Sequence, residues 1–208
     1  MQALNLFFPR LLPYAPGCSE PLAAQALLDS AIEFCDLSQV LRDRLPTFSS
    51  AIGVSAYPLV VDTQQEVSSI LRVWAADREL AVAPTSDIQH SVAPLAPPSQ
   101  AYTTRYGSVF ALNLYPTPVA IETILVDASL RPRRGAATVD DDLLNYWVEP
   151  VVQGALARIL LMPDQPFYNP VMAERSARMA RQGTSKARID SDRGRVRAAV
   201  RITPRPFA

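Results

Sequence analysis

Apolar residues between Asp140 and Met162 recur at intervals of three and four, which is the spacing of a helix with one wide buried face. Three consecutive aspartates open this stretch, where the partial positive charge of a helix N-terminus favours acidic side chains. Thr138 or Asp140 is the expected cap. Pro150 has no backbone N–H, so it should kink the helix near Trp147 unless the helix begins later. We expect this helix to be the central rod of the core.

Two more helices are expected, one before and one after the central one. The first begins at a cap on Ser19, has Pro21 in its first turn and ends before Pro46. The third, Val171–Ile189, follows a cap on Asn169 and contains few apolar residues. Because so sparse an apolar face buries little surface, this third helix must be mostly solvated or part of an interface.

Strands are expected between the first and the central helix, because the apolar spacing there changes to a period of two. Turn residues separate the alternating runs, and a hairpin turn is expected at Asp77-Arg78 and another at Gly107. The polar, proline-rich stretch Thr85–Pro98 should be a long surface loop. The expected strands are Ala56–Leu59, Glu66–Ala75, Glu79–Ala83, Tyr102–Tyr106, Ser108–Tyr115 and Ile121–Leu130.

This element order predicts the α+β class, with a small bundle of three main helices, an inserted antiparallel β module and an extended C-terminal arm. Residues 1–48 and 138–192 should form the helical bundle, because the first and the central helix flank the strands, share an apolar character and should pack together. Residues 49–137 should form the β module. Residues 193–208 should form the arm.

Charge is balanced over the whole chain, with 20 basic and 20 acidic residues and a net charge of zero. This balance argues against a general nucleic-acid-binding or membrane-surface protein. The basic residues are concentrated after Val171, and nearly all of them are arginine. No apolar run approaches the roughly 20 residues of a membrane-spanning helix, and nothing resembles a signal peptide, so we expect a protein made in the cytosol.

Candidate chemistry is sparse. His90, the sole histidine, lies in the proline-rich loop without other metal ligands nearby, and Cys35 lies on the apolar side of the first helix, as a small buried hydrophobe would. The run Asp140–Asp142 could bind a divalent cation, but the helix dipole explains it without a metal. Motifs for nucleotide binding, zinc proteolysis and serine hydrolysis are absent. We therefore expect no enzyme activity, catalytic residue, metal or cofactor.

Three interpretations of the basic C-terminal region are open. It could be a solvated face, a docking arm for an acidic partner protein, or a nucleic-acid-binding site. Aromatic side chains for base stacking are nearly absent, which weakens the third. From Arg195 to Ile202, arginines alternate with apolar residues, as in a strand added to a partner's sheet edge. The candidate docking residues are Arg175, Arg178, Arg181, Arg195, Val196, Arg197, Val200, Arg201, Ile202 and Phe207.

Five segments between Leu11 and Pro170 carry a similarity that covers the chain from Leu11 to about Phe207. They read LLPYAPGCSEPLAAQALLDSAIEFCDLS, SAYPL, ALNLYPTP, ILVDASLRP and NYWVEPVVQGALARILLMPDQPFYNP. In this order and spacing they resemble the head-to-tail adaptor (connector) proteins of tailed bacteriophages, and are similar to the tail tubular protein A class of short-tailed phages. GALARILLMPDQPFYNP is the most specific part, and the Thr85–Pro98 loop matches least.

The resemblance implies a structural virion protein. Such adaptors form a ring, usually dodecameric, between the portal and the tail or nozzle protein, and take part in tail assembly and DNA ejection. Genomic DNA passes through the lumen without specific binding, and no membrane is involved. On this chain the resemblance makes residues 171–208 the portal-docking arm. The expected location is the head–tail interface of the virion, assembled in the host cytoplasm.

Because phosphate–arginine contacts would hold DNA, we expect the basic arm to point away from the channel and acidic residues to line it. The alternative is another virion connector, such as a head-completion or tail-terminator protein. An outside alternative is a nucleic-acid-processing enzyme that uses Asp140–Asp142.

Overall fold

The computed structural model describes residues 1–87, 95–106 and 109–193. Part of the expected surface loop, residues 88–94 with His90, lies outside the described residues, as does the hairpin residue Gly107. Of the candidate docking residues, Arg195, Val196, Arg197, Val200, Arg201, Ile202 and Phe207 also lie outside them.

The described chain contains α-helices α1 (Phe8–Leu11), α2 (Glu20–Ser38), α3 (Asp141–Asn145), α4 (Val148–Ile159) and α5 (Pro170–Asp192). Short 3-10 turns flank α1, and another lies at Thr85–Asp87. Helix α4 packs against both α2 and α5, and α2 also contacts α5. Across the described ranges, no helix combines the length and hydropathy needed to cross a bilayer.

The single central rod expected from Asp140 to Met162 is wrong, because the chain breaks between α3 and α4 at Tyr146 and Trp147. Pro150 stands in the first turn of α4, where its missing N–H leaves no hydrogen bond unmade. Asp140 is the cap of α3, and its side chain accepts a hydrogen bond from the backbone N–H of Asp142 at 3.0 Å. The proline therefore sets where the second helix starts rather than kinking a continuous one.

Helix α2 ends earlier than expected, at Ser38 instead of just before Pro46. Gln39 adopts a left-handed conformation with φ of 52°, and its N–H donates to the carbonyl of Cys35. This is a common helix end, and it frees the next residues to join the sheet. The expected start of α5 is confirmed, since the side chain of Asn169 accepts from the N–H of Met172 at 3.0 Å.

The strands are β1 (Gln2–Ala3), β2 (Arg42–Arg44), β3 (Phe48–Ser49), β4 (Ala56–Pro58), β5 (Gln65–Ala75), β6 (Arg78–Val82), β7 (Gln100–Tyr106), β8 (Val109–Tyr115), β9 (Thr123–Pro132) and β10 (Thr138–Val139). An eight-stranded sheet has the order β2-β9-β5-β6-β7-β8-β4, with β3 also paired to β9, and β1 pairs with β10. The strands predicted from alternation are confirmed within a few residues. Strands β1, β2, β3 and β10 were not predicted, because strands of two or three residues are too short to show an alternating apolar pattern.

Most described strand pairings are antiparallel, but β6 and β7 run parallel, so the expected purely antiparallel module is wrong there. The first part of β6 pairs with β5, whereas Ala81 and Val82 lie opposite Gln100 and Ala101 of β7. Strand β6 therefore joins two halves of the sheet. Its hairpin with β5 turns at Ala76 and Asp77, one residue earlier than the expected Asp77-Arg78, and Ala76 has a positive φ of 50°.

Helices and sheet share one hydrophobic core, and the chain is a mixed α+β protein with a curled sheet. Leu27 and Phe34 of α2, Val126 of β9 and Ile159 of α4 all belong to that core, and α2 contacts both β9 and α4. Two register shifts in the β5–β9 pairing, near Ser69 and Arg72, increase the local twist of the sheet. The core therefore lies between the α2 side of the helical layer and the long β5–β9 pair.

Candidate docking surface

Small residues line the inward side of α5. Ala173, Ser176 and Ala187 are its buried positions. At Gly183 the backbone lies so close to Pro150 of α4 that an added Cβ would be 2.7 Å from the proline ring. Because nothing large is buried on this side, α5 lies close against α4 and leaves its long side chains pointing outward.

The outward side of α5 carries the described part of the predicted docking arm. Arg175, Arg178 and Arg181 are all exposed, and at about 100° per residue they cover an arc of roughly 120° around the helix. Among the described residues, no carboxylate forms a salt bridge with any of the three. Within the part of the chain that the structure describes, Arg181 donates to the carbonyl of Ala177 at 3.3 Å.

Exposed aliphatic side chains lie on the same helix as these arginines. The largest are Val171, Met179 and Ile189. We call Val171, Arg175, Arg178, Met179, Arg181 and Ile189 the α5 outer face. Exposed cations combined with exposed apolar carbon on one rigid helix can bind an acidic protein surface that also has apolar area.

The C-terminal end of α5 is fixed to the sheet. Ser191 donates to the carbonyl of Gln39 at 2.8 Å, and Asp192 accepts from Arg42 of β2 at 2.6 Å. Arg188 donates to the other carboxylate oxygen of Asp192 at 3.2 Å. The hydrogen bond from Arg42 is the main cause that lowers the pKa of Asp192, and the charge of Arg188 adds to it. The last turn of α5 is therefore held beside β2.

The acidic run that opens α3 is already engaged in structural contacts. Asp140 caps the helix, and Asp141 accepts the N-terminal ammonium of Met1 at 2.7 Å. Within the described ranges, no cluster of three or more histidine, cysteine or carboxylate side chains could hold a metal ion. A cation site at Asp140–Asp142 gains no support from this geometry.

The two cysteines do not form a reactive pair. Both are free; Cys35 is fully buried, whereas Cys18 is partly exposed. Burial raises the pKa of the Cys35 thiol far above its ordinary value, and burial also raises the pKa of Cys18. Since the thiolate is the nucleophile, the interpretation of Cys35 as a small buried hydrophobe is consistent with its surroundings.

A groove of about 700 Å³ lies beside the end of α5, and arginines and aspartates line it. Arg42 pairs with Asp192, and Arg44 pairs with Asp127 at 2.8 Å while lying over the ring of Trp74. These cations are balanced by carboxylates within the groove, unlike the arginines of the α5 outer face. The groove is therefore a weaker candidate for binding an anionic ligand.

Sequence reasoning missed the ion pairs that join α2 to the sheet. Arg131 of β9 forms ion pairs with Asp36 of α2 and Glu66 of β5. The three residues are far apart along the chain, and no local pattern relates them. Only knowledge of the β5–β9 register brings their side chains together.

No family model matches the sequence, and no curated protein matches it either.

Proposed function

We propose that the protein is a structural head-to-tail adaptor of a tailed bacteriophage. A ring of copies, about twelve, joins the portal to the tail and forms part of the DNA channel. The proposal rests on the resemblance of the segments from Leu11 to Phe207, and one observation carries the docking role. That observation is the α5 outer face, where Arg175, Arg178 and Arg181 have no described salt-bridge partner on a helix whose other side is packed and anchored.

We interpret α2, α4 and α5 as the three main helices of a small bundle formed by residues 1–48 and 138–192. We propose that residues 49–137 are the inserted β module and that residues 193–208, of which the structure describes only Arg193, serve as the arm. The contacts of α4 with both α2 and α5 support the bundle, and the strands β4 to β9 support the inserted module. In this arrangement α5 ends where the arm begins.

A protein surface rich in carboxylates suits the α5 outer face. Guanidinium groups bind carboxylates through two parallel hydrogen bonds, and such charge-assisted bonds are about twice as strong as neutral ones. The aliphatic side chains of Val171, Met179 and Ile189 lose their exposure to water when a partner covers them. The portal is the partner that we propose for this face.

The nucleic-acid reading of the same face is weaker. Phosphates attract arginine as carboxylates do, but no aromatic side chain occurs between Pro170 and Asp192 to stack on a base. The chain as a whole carries no net positive charge. We therefore propose that DNA passes through the ring lumen without specific binding and that the α5 outer face points away from it.

Removing the gene from the phage tests the proposal. Tailless heads that have lost their DNA should accumulate, and supplying the protein from a plasmid should restore infectious particles. Normal virions in the absence of the protein would contradict the adaptor role. Another virion connector, such as a head-completion or tail-terminator protein, is the second candidate, and the composition of the stalled particles separates the two.

A further inference from the structure

Charged residues are missing from two long stretches of the chain, Leu45–Val61 and Tyr106–Ile121. The topology places these stretches side by side, because β4 of the first pairs with β8 of the second. Typical protein surfaces are about a quarter to a third charged. The paired strands β4 and β8 and the loops beside them within these stretches therefore contribute no charged side chain, although the chain as a whole is rich in arginine and acidic residues.

Two loops at this end are held together by hydrogen bonds. The N–H of Gly53 donates to the carbonyl of Pro118 at 3.0 Å, and the N–H of Ser50 donates to the carbonyl of Glu122 at 2.8 Å. The hydroxyl of Ser50 also donates to the carbonyl of Ala120 at 3.1 Å. These bonds tie loop 50–54 to loop 118–122 and fix the backbone of both.

Aliphatic side chains point from these tied loops into solvent. Ile52 is 62% exposed and Ile121 is 70% exposed, with Val54 and Val119 beside them. We call these four residues the apolar tip. Scattered exposed aliphatic residues are normal, but several together on fixed backbone are typical of a surface that another protein covers. The charge nearest to the tip in sequence, on Glu122, is paired with Arg78 at 3.0 Å.

An apolar groove adjoins the tip. It has a volume of about 310 Å³ and lies between β3 and β4, lined by residues 45–49 and 57–60. Phe48 and Tyr57 both line it, with their ring centroids 5.1 Å apart. The hydroxyl of Tyr57 donates to the carbonyl of Val54 at 2.7 Å, which connects the groove to the tip. A protruding apolar element and an apolar recess therefore lie next to each other on one face.

We propose that this face binds a second copy of the same chain about a two-fold axis, with the tip of each copy in the groove of the other. A two-fold contact needs a surface that complements itself, and a tip beside a groove meets that need. The inference does not rest on the proposed function. It concerns the free protein, before any other partner is met.

The absence of charge from the apolar tip favours the apolar groove of a second copy, rather than a charged surface of the chain, as its binding partner. The α5 outer face carries Arg175, Arg178 and Arg181, and β2 consists of Arg42, Asp43 and Arg44. Packing either surface on the apolar tip would remove water from charges without supplying partners. A membrane is disfavoured too, because neither uncharged stretch contains a lysine or arginine to attract anionic lipid.

Sedimentation equilibrium of the full chain alone, over a series of concentrations, tests the proposal. The wild-type protein should approach twice its 22.8 kDa mass as concentration rises. Ile121→Asp and Ile52→Asp should each weaken the dimer roughly tenfold or more, because each places an unpaired charge in the contact. Leu37→Asp is the matched control, since Leu37 is 58% exposed on α2 and should dimerise as wild type does.

Several outcomes would overturn the proposal. They are a monomer at every concentration, a dimer that both tip variants leave intact, and a dimer that Leu37→Asp weakens equally. Circular dichroism melting shows whether each variant is folded. If one tip variant is unfolded, the dimerisation of the other tip variant tests the proposal. Hydrogen exchange of the wild-type protein provides a second measurement. Amides of loop 50–54 should then exchange more slowly at high protein concentration than at low, and equal exchange would count against the contact.

Discussion

The guanidinium of Arg131 lies 2.5 Å from the carboxylate of Asp36, and this pair joins β9 to α2. The same guanidinium lies 2.7 Å from Glu66 of β5. Ser68 donates to the other carboxylate oxygen of Asp36 at 2.6 Å. All of these side chains are partly buried, so the cluster holds two acidic groups close together through one shared cation.

Replacing Arg131 should destabilise the protein because Asp36 would lose its cation and Glu66 would keep only Arg105, 3.8 Å away. Arg131→Met keeps much of the apolar stem and removes the charge. We expect the free energy of unfolding at pH 7 to fall by about 2 kcal/mol, less than for a fully buried pair. Urea unfolding followed by circular dichroism measures this change.

Arg133→Met is the matched control, since Arg133 is exposed two residues further along and its side chain has no described ion pair. Its effect should stay within about 0.5 kcal/mol. Equal urea midpoints for Arg131→Met and the wild type would show that the cluster contributes nothing to stability.

The close approach of α5 to α4 predicts a second effect. An alanine at position 183 would place its Cβ 2.7 Å from Cγ and 2.8 Å from Cβ of Pro150, and a proline ring cannot rotate away. Gly183→Ala should therefore destabilise the protein by about 1–2 kcal/mol, although alanine normally favours a helix interior by up to about 1 kcal/mol. Ser185→Ala, at an exposed position of α5, should be neutral or slightly stabilising. Thermal unfolding of both variants measures these effects. A Gly183→Ala variant more stable than the wild type would contradict the close packing of α5 on α4.

The carboxyl group of Asp192 should titrate below its ordinary pKa of 3.8, mainly because Arg42 donates a hydrogen bond to it. A lowered folded-state pKa means that the charged form is favoured by folding, so its stabilising effect is present above the unfolded-state pKa. That effect is lost as the pH falls through the folded-state pKa. Carboxyl-detected NMR titration of Arg42→Ala should show the pKa moving up towards 3.8, whereas Arg181→Ala should leave it unchanged. Identical Asp192 titrations in Arg42→Ala and the wild type would refute the assignment.

The two thiols should differ in reactivity. Cys35 is fully buried and its pKa is raised, so a thiol reagent such as DTNB should leave it unmodified in the folded protein. Cys18 is partly exposed with a smaller barrier to access, and it should react slowly. Cys18→Ser should then show almost no reaction until urea unfolds the chain. Rapid modification of folded Cys18→Ser would mean that α2 opens readily.

Local patterns in the sequence predicted much of the fold, and the reasons for each failure are physical. The cap at Asn169 and the alternation in β5 are properties of neighbouring residues, so they are visible in the sequence. The early end of α2 depends on Gln39 adopting a positive φ, which no apolar period announces. The parallel β6–β7 pairing depends on where β6 leaves β5, and this is decided by the packing of the whole sheet.

The candidate binding surfaces were likewise predicted only in part. The exposure of Arg175, Arg178 and Arg181 followed from the sparse apolar residues of α5, which the sequence displays. The apolar tip was not predicted, because loops 50–54 and 118–122 are distant in sequence and meet only through hydrogen bonds at Ser50 and Gly53. Each uncharged stretch can be read from the sequence, but only the β4–β8 pairing shows that the two stretches lie side by side.

Binding of the purified protein to the portal ring of its own phage tests the central proposal most directly. In size-exclusion chromatography with light scattering, the wild type should elute with the portal as a ring of adaptor copies. Arg175→Glu combined with Arg178→Glu should lose most of this binding, while Arg133→Glu combined with Arg134→Glu, which reverses as many exposed charges elsewhere, should keep it. Wild-type protein that elutes apart from the portal, or an Arg175/Arg178 double variant that binds as the wild type does, would contradict the account.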